Sequence, residues 1–182
     1  LLFGLKACEP GTYAGKQRDF CLANGHSSEN LWALIRAEAL DYFGERRIPW
    51  HDGVDDDTGA SRRPSNHLCC SQSSCVNALF PFLRHPEKLA DALRDLGVPV
   101  AEVLRFAADV PGRDGTLVGN QGPKVRPGAV AFEWIGTRNY LAEGPGGKAI
   151  SHEHRSRGAN ATSADFSILF RGTDGLRHLV LG

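Results

Sequence analysis

Two acids stand in strand-like runs that are otherwise apolar. Asp165 opens "SADFSILF", and Glu133 interrupts "AVAFEWIG". Alternation along the first run sets Phe166, Ile168 and Phe170 on one face and Asp165, Ser167 and Leu169 on the other. At a strand start, Asp165 is either a ligand-binding carboxylate or a solvated residue at a sheet edge. Glu133 shares its face with Ala131 and Ile135, while Phe132 and Trp134 take the other. An acid so placed needs a cation, a hydrogen-bond donor or solvent, and an exposed face is the plain alternative. Glu143, in "NYLAEG", reads as a loop residue on the surface.

His67, Cys69, Cys70 and Cys75 suggest zinc by residue type, but not by spacing. Structural zinc sites favour a C-x(2–4)-C pair with a second, distant pair. Neighbouring cysteines on a helix point about a hundred degrees apart, so Cys69 and Cys70 read better as buried structural thiols. The "HEH" of His152 to His154 lies in a loop and reads as solvated. Gln72 and Asn77 are polar groups on an apolar helix; they either reach a site or bond to backbone. No Gly-rich phosphate loop, serine-elbow pentapeptide or H-E-x-x-H motif is present.

These residues need elements to position them. Residues 1–27 read as irregular. "SSENLWALIRAEALDYFGE" reads as a helix capped by Ser28 and ended by Gly44, with Leu31, Leu34, Ile35, Ala39 and Tyr42 on one face. A second helix is expected from about Leu68 to Phe80, with Cys69, Gln72, Val76 and Leu79 on one side and Pro81 at its end. "HPEKLADALRDLG" reads as a third, starting near Pro86, stopping at Gly97 and striped by Leu89, Leu93 and Leu96. "VAEVLRFAADV" reads as a fourth. The pattern then changes to a strand, "PGAVAFEWIG", a long Gly-rich loop over 136–160, and a hairpin, "SADFSILF" and "LRHLVLG" joined by "RGTDG". Helices followed by strands make this an α/β (α+β) design. A single domain over 1–182 is expected, mainly helical over 1–120 and sheet-forming over 121–182.

The 182 residues are 41% hydrophobic and 23% charged, the balance of a soluble globular chain. No apolar stretch approaches the roughly 18 residues of a membrane span. Lys plus Arg equals Asp plus Glu, which argues against a protein that coats nucleic acid over its whole surface. A local basic segment is compatible with that neutrality: between Gln121 and Gly158, Lys124, Arg126, Arg138, Lys148, Arg155 and Arg157 outweigh Glu133, Glu143 and Glu153. Five cysteines without framework spacing point to reduced thiols and a cytoplasmic protein. Methionine is absent, so position 1 is expected not to be the native start.

The stretches "NHLCCSQSSCVNALFPF", "FEWIG" with "NYLAEG", and "RGANATSADFSILF" with its closing strand resemble a group of prokaryotic restriction endonucleases in the PD-(D/E)XK nuclease superfamily. The likeness spans about Phe43 to Gly182 and is most specific at "RGANATSAD". It implies a restriction-endonuclease-like core with N-terminal helices, a C-terminal strand and a β-hairpin. It also implies a metal-dependent DNA endonuclease of restriction or defence type using Mg²⁺ or Mn²⁺. Asp165 falls on the aspartate that binds the metal at the start of the second core strand. The third strand would lead into E-x-K, and the chain stops at Gly182 where that tripeptide would begin. The resemblance therefore implies a fragment lacking part of its site, in a sheet left incomplete.

Glu133 would be a further catalytic acid, as an outer ligand or holding a water. Thr162 and Ser163 would brace the turn before Asp165. Arg157, Arg155 and Arg138 would contact DNA phosphates, and Gln72, Asn77 and Glu143 would support the site. DNA is the expected partner, no membrane is, and a homodimer stays open. Two alternatives stand beside this. One is a nuclease-like protein that binds nucleic acid without cutting it. The other is a zinc-binding interaction module built on His67 and the neighbouring cysteines.

Overall fold

Asparagine side chains decide where the first helix begins. Asn30 Nδ2 donates to the carbonyls of Ser65 and His67, both at 2.9 Å. Asn77 accepts from the Trp32 N–H at 2.8 Å and donates to the Asn30 carbonyl at 2.8 Å. These bonds compete with helical ones and hold Leu31 extended, at φ −94° and ψ 137°. The helix expected from Ser28 is therefore split. Ser27–Asn30 is a 3₁₀ turn, and α1 runs Arg36–Glu45. Leu34, expected on the buried stripe, is 78% exposed, while Leu31, Ile35, Ala39 and Tyr42 are buried.

The computed structural model describes residues 3–46, 48–51, 63–106, 128–134 and 164–182. The chain forms two compact units, Leu1–Phe80 and Pro81–Gly182. In the first, the stretch that reads as irregular carries a 3₁₀ turn, Leu5–Cys8, and a small antiparallel hairpin of β1, Gly11–Tyr13, and β2, Lys16–Arg18. Ala14 and Gly15 turn it with φ 49° and 73°, the left-handed pair that suits a two-residue hairpin. α2 covers Ser71–Leu79, starting later than the spacing predicts. His67 is the reason: its carbonyl takes the Cys70 N–H and its Nδ1 the Cys69 N–H. This unit's core stacks Phe43 on Trp50 at 3.9 Å between ring centroids, with Tyr42 edge-on to Phe80 at 5.6 Å. The Arg46 guanidinium lies 3.6 Å over the Tyr42 ring, a cation–π contact that compensates part of its burial.

In the second unit α3 runs Pro86–Asp95 with proline in its first turn. Gly97 ends it at φ 82°. The Val98 N–H reaches the Leu93 carbonyl and the Gly97 N–H that of Arg94, satisfying end carbonyls that the helix leaves free. The fourth helix expected from Val100 is instead strand β3, Val100–Val103. Arg94 explains the change. Its guanidinium donates to the carbonyls of Val100 and Ala101, which a helix would need as acceptors. Val100 and Val103 then pair with a neighbouring strand, where β-branched residues fit well.

That neighbour is β5, Ala164–Gly172, the central strand of the sheet. β4, Val130–Trp134, and β6, Arg177–Leu181, are the other members, and every pairing is antiparallel. β3 pairs with the C-terminal end of β5 and β4 with its N-terminal end. A Leu104 N–H bond to the Leu169 carbonyl and a Phe106–Gly128 bridge join the two. β3 and β4 thus flank β5 end to end, as one interrupted strand. β5 and β6 form the hairpin that the sequence predicts. Side chains are buried on both faces: Val130, Phe132, Ile168 and Phe170 on one, Leu104, Phe106, Ala131 and Leu169 on the other. No helix among the described residues is long and apolar enough to cross a membrane.

The β5–β6 turn is held by Asp174, which accepts the Leu176 N–H at 2.9 Å and lies 3.1 Å from His178 Nε2. A Cβ at Gly172 would meet Asp174 Oδ1 at 2.5 Å and His178 Nε2 at 2.7 Å, so a side chain there would push this pair aside.

Three tests follow from these contacts. Asn30→Ala removes a donor from two carbonyls, of which that of His67 keeps the Cys70 N–H, and should cost about 2 kcal/mol in chemical denaturation. Leu34→Ala should change stability by less than about 0.5 kcal/mol, and a larger loss would restore the continuous helix. The hydrogen bond from His178, then the one from the Leu176 N–H, holds the Asp174 carboxyl below its usual range. A depressed carboxylate stabilises the fold above its unfolded pKa, and that contribution is lost as pH falls through the folded pKa. The Leu176 amide resonance should therefore shift with a midpoint below the ordinary aspartate value of about 3.9. Asp174→Asn should abolish that shift.

Candidate active site

β5 carries Asp165 as its second residue. Asp165 is therefore on the central strand, not at a sheet edge, and it is half-buried. No hydrogen bond or ion pair engages its carboxylate among the described residues. A half-buried acid without an internal partner is met by solvent or by a bound cation.

The register brings a second acid to it. Phe132 pairs with Phe166 and Trp134 with Ala164, so Glu133 comes level with Asp165 on the adjacent strand, although the two are not themselves a ladder pair. Glu133 is 1% exposed, which excludes the exposed face. Its φ is 48°, the left-handed region, costing an L-residue roughly 1–2 kcal/mol. That twist also breaks the period of two. Trp134, expected beside Phe132, packs instead against Leu104, Phe106, Ala131 and Leu169, on the face that Asp165 and Ser167 share.

Two buried polar atoms in this neighbourhood, Ser167 Oγ and Trp134 Nε1, have no partner among the described residues. Ser167 is fully buried and follows Asp165 by two residues, a position legible from alternation but with nothing in sequence to mark its hydroxyl as unsatisfied. Two carboxylates and an unsatisfied hydroxyl are hard oxygen donors of the kind Mg²⁺ or Mn²⁺ takes, so the residues present fit such an ion. No group of three or more His, Cys, Asp and Glu residues fit to hold a metal occurs among the described residues.

The other candidates are placed differently. Gln72 accepts the His51 N–H at 2.8 Å and donates to the Pro49 carbonyl at 3.1 Å. With the Asn77 bonds given above, both amides brace the first unit's backbone. Cys69 is exposed, and Cys70 and Cys75 are half-buried, so these thiols are not the buried set expected from sequence. The His67 ring lies against Tyr13 and Phe20, at 4.9 and 4.8 Å. Arg138, Glu143, Arg155, Arg157, Thr162, Ser163 and the His152–His154 stretch lie outside the described residues.

A family model described as "Restriction Endonuclease associating with ARP" matches residues 4–180. No curated protein and no solved structure matches the chain.

The left-handed backbone at Glu133 is open to a stability ranking. Asn tolerates positive φ, whereas a β-branched residue there is a steric outlier. Glu133→Asn should unfold at a higher denaturant concentration than Glu133→Val, by about 1 kcal/mol or more. Equal midpoints would show that the twist is not kept.

Proposed function

The chain belongs to the family of restriction endonucleases associating with ARP, and from that premise we propose that it is a metal-dependent DNA endonuclease whose carboxylate site is built around Asp165. The observation that carries the proposal is the β4–β5 register, which brings Glu133 level with an Asp165 that no cation among the described residues neutralises.

Phosphodiester hydrolysis needs an activated water and compensation of the charge that grows on the phosphoryl and leaving oxygens. Asp165 and Glu133 would hold the metal through their carboxylate oxygens, with the Ser167 hydroxyl close by in the strand. When bound, Mg²⁺ or Mn²⁺ supplies the Lewis acid and lowers the pKa of a coordinated water. The left-handed backbone and burial of Glu133 keep that acid in place at a conformational cost, as strained residues at functional sites do. Arg155, Arg157 and Arg138 would contact backbone phosphates.

The other edge of β5 is paired with β6 as far as the residues next to Asp165. Ser167 pairs with Leu181, and Phe166 and Gly182 exchange backbone hydrogen bonds at 3.2 Å.

Plasmid cleavage by the protein expressed from its whole reading frame tests the assignment. Asp165→Asn should lower Mg²⁺-dependent cleavage by at least about a hundredfold, the scale of losing a catalytic electrostatic contact, with unchanged thermal unfolding. Undiminished cleavage would refute it. Salt-sensitive DNA binding without any metal-dependent cleavage by the unmodified protein would instead mark a nuclease-like binding protein.

A further inference from the structure

The first unit contains a cleft of about 500 Å³, within the roughly 300–1,000 Å³ typical of small-ligand sites. Its walls are the β1–β2 turn at Ala14 and Gly15, the Asn24–Gly25 turn, Ser27, and the Arg63–Pro64–Asn66 stretch. Among the described residues no carboxylate and no large aliphatic side chain lines it. Arg63 is its one cation, exposed, and paired with no carboxylate among the described residues.

The walls are tied together before any ligand arrives. Asn24 Oδ1 accepts the Thr12 N–H at 2.9 Å. Asn66 Nδ2 donates to the carbonyls of Thr12 and Leu22 at 3.2 and 3.0 Å. Tyr13 meets the His67 ring edge-on, which fixes an aromatic surface in the lining. Gly15 and Gly25 sit at φ 73° and 82°, and a Cβ on either would meet nothing within 4 Å. Backbone can therefore be approached closely at both turns.

A cation without a partner among the described residues, polar walls and a fixed aromatic ring match one ligand chemistry. The cation suits a phosphate, the hydroxyls and amides suit a sugar, and the ring suits a base. We propose that this cleft binds a nucleotide unit within a DNA strand, with Arg63 on the phosphate, so that the first unit contributes its own DNA-holding site. The proposal rests on the DNA-directed function given above but not on Asp165 or a metal.

Fluorescence anisotropy of a short labelled duplex, and of its separated single strand, tests it in EDTA, where cleavage plays no part. Arg63→Ala should weaken binding about three- to tenfold at moderate salt and flatten the dependence of log K on log salt by about one. Arg63→Lys should recover part of the loss. Lys6→Ala, an exposed cation of the same unit outside the cleft, should change binding less than about twofold. Equal losses for Lys6→Ala and Arg63→Ala, or none for Arg63→Ala, would overturn the cleft while leaving the endonuclease assignment standing. Arg63-dependent binding of a free 5′-mononucleotide but of neither DNA form would also overturn it. A wild-type protein that binds no DNA would overturn both.

Discussion

The backbone register along β5 is the constraint on which the second unit depends. One strand of nine residues carries partners on both sides. Its first half faces β4, its second half faces β3, and its other edge is taken by β6. A slip of one residue would turn every side chain to the opposite face. It would also move Glu133 away from Asp165. Burial on both faces, from Phe132 and Ile168 to Leu104 and Leu169, makes such a slip expensive, so the core and the acid pair are specified by the same contacts.

Glu133 shows how the site departs from ordinary strand logic. Its left-handed φ redirects Trp134 into the cluster on the Asp165 face, and its own side chain is almost wholly buried. Burying an acid is unfavourable, and twisting a strand at a non-glycine residue is too. Both features fall at the residue level with Asp165, whose carboxylate has no partner among the described residues. The first unit is built on the opposite principle. There, polar side chains such as Asn30, Gln72 and Asn77 are spent on backbone groups, and they fix the extended segments between its elements.

Local patterns were legible where a single period or turn decided the outcome. The β5–β6 hairpin followed from alternation and a Gly-containing turn, and α3 from its proline start and Gly97 stop. Segments with two compatible periods were not. Val-Ala-Glu-Val suits a helix or a strand, and only Arg94 taking its carbonyls and β5 offering a ladder settle the matter. The start of α1 depended on Asn77, far along the chain, which no local window contains. Asp165 and Glu133 could be picked out as acids in apolar runs. Their opposition could not, because it comes from pairing across a long intervening segment, and the twist at Glu133 leaves no mark in residue type.

The central claim is that Asp165 and Glu133 share a cation, and Mn²⁺ titration followed by NMR tests it most directly. Paramagnetic broadening should appear first at the amides of Asp165, Phe166, Glu133 and Trp134, and Asp165→Asn should remove it. Broadening that is centred elsewhere, or that survives the substitution unchanged, would contradict the account.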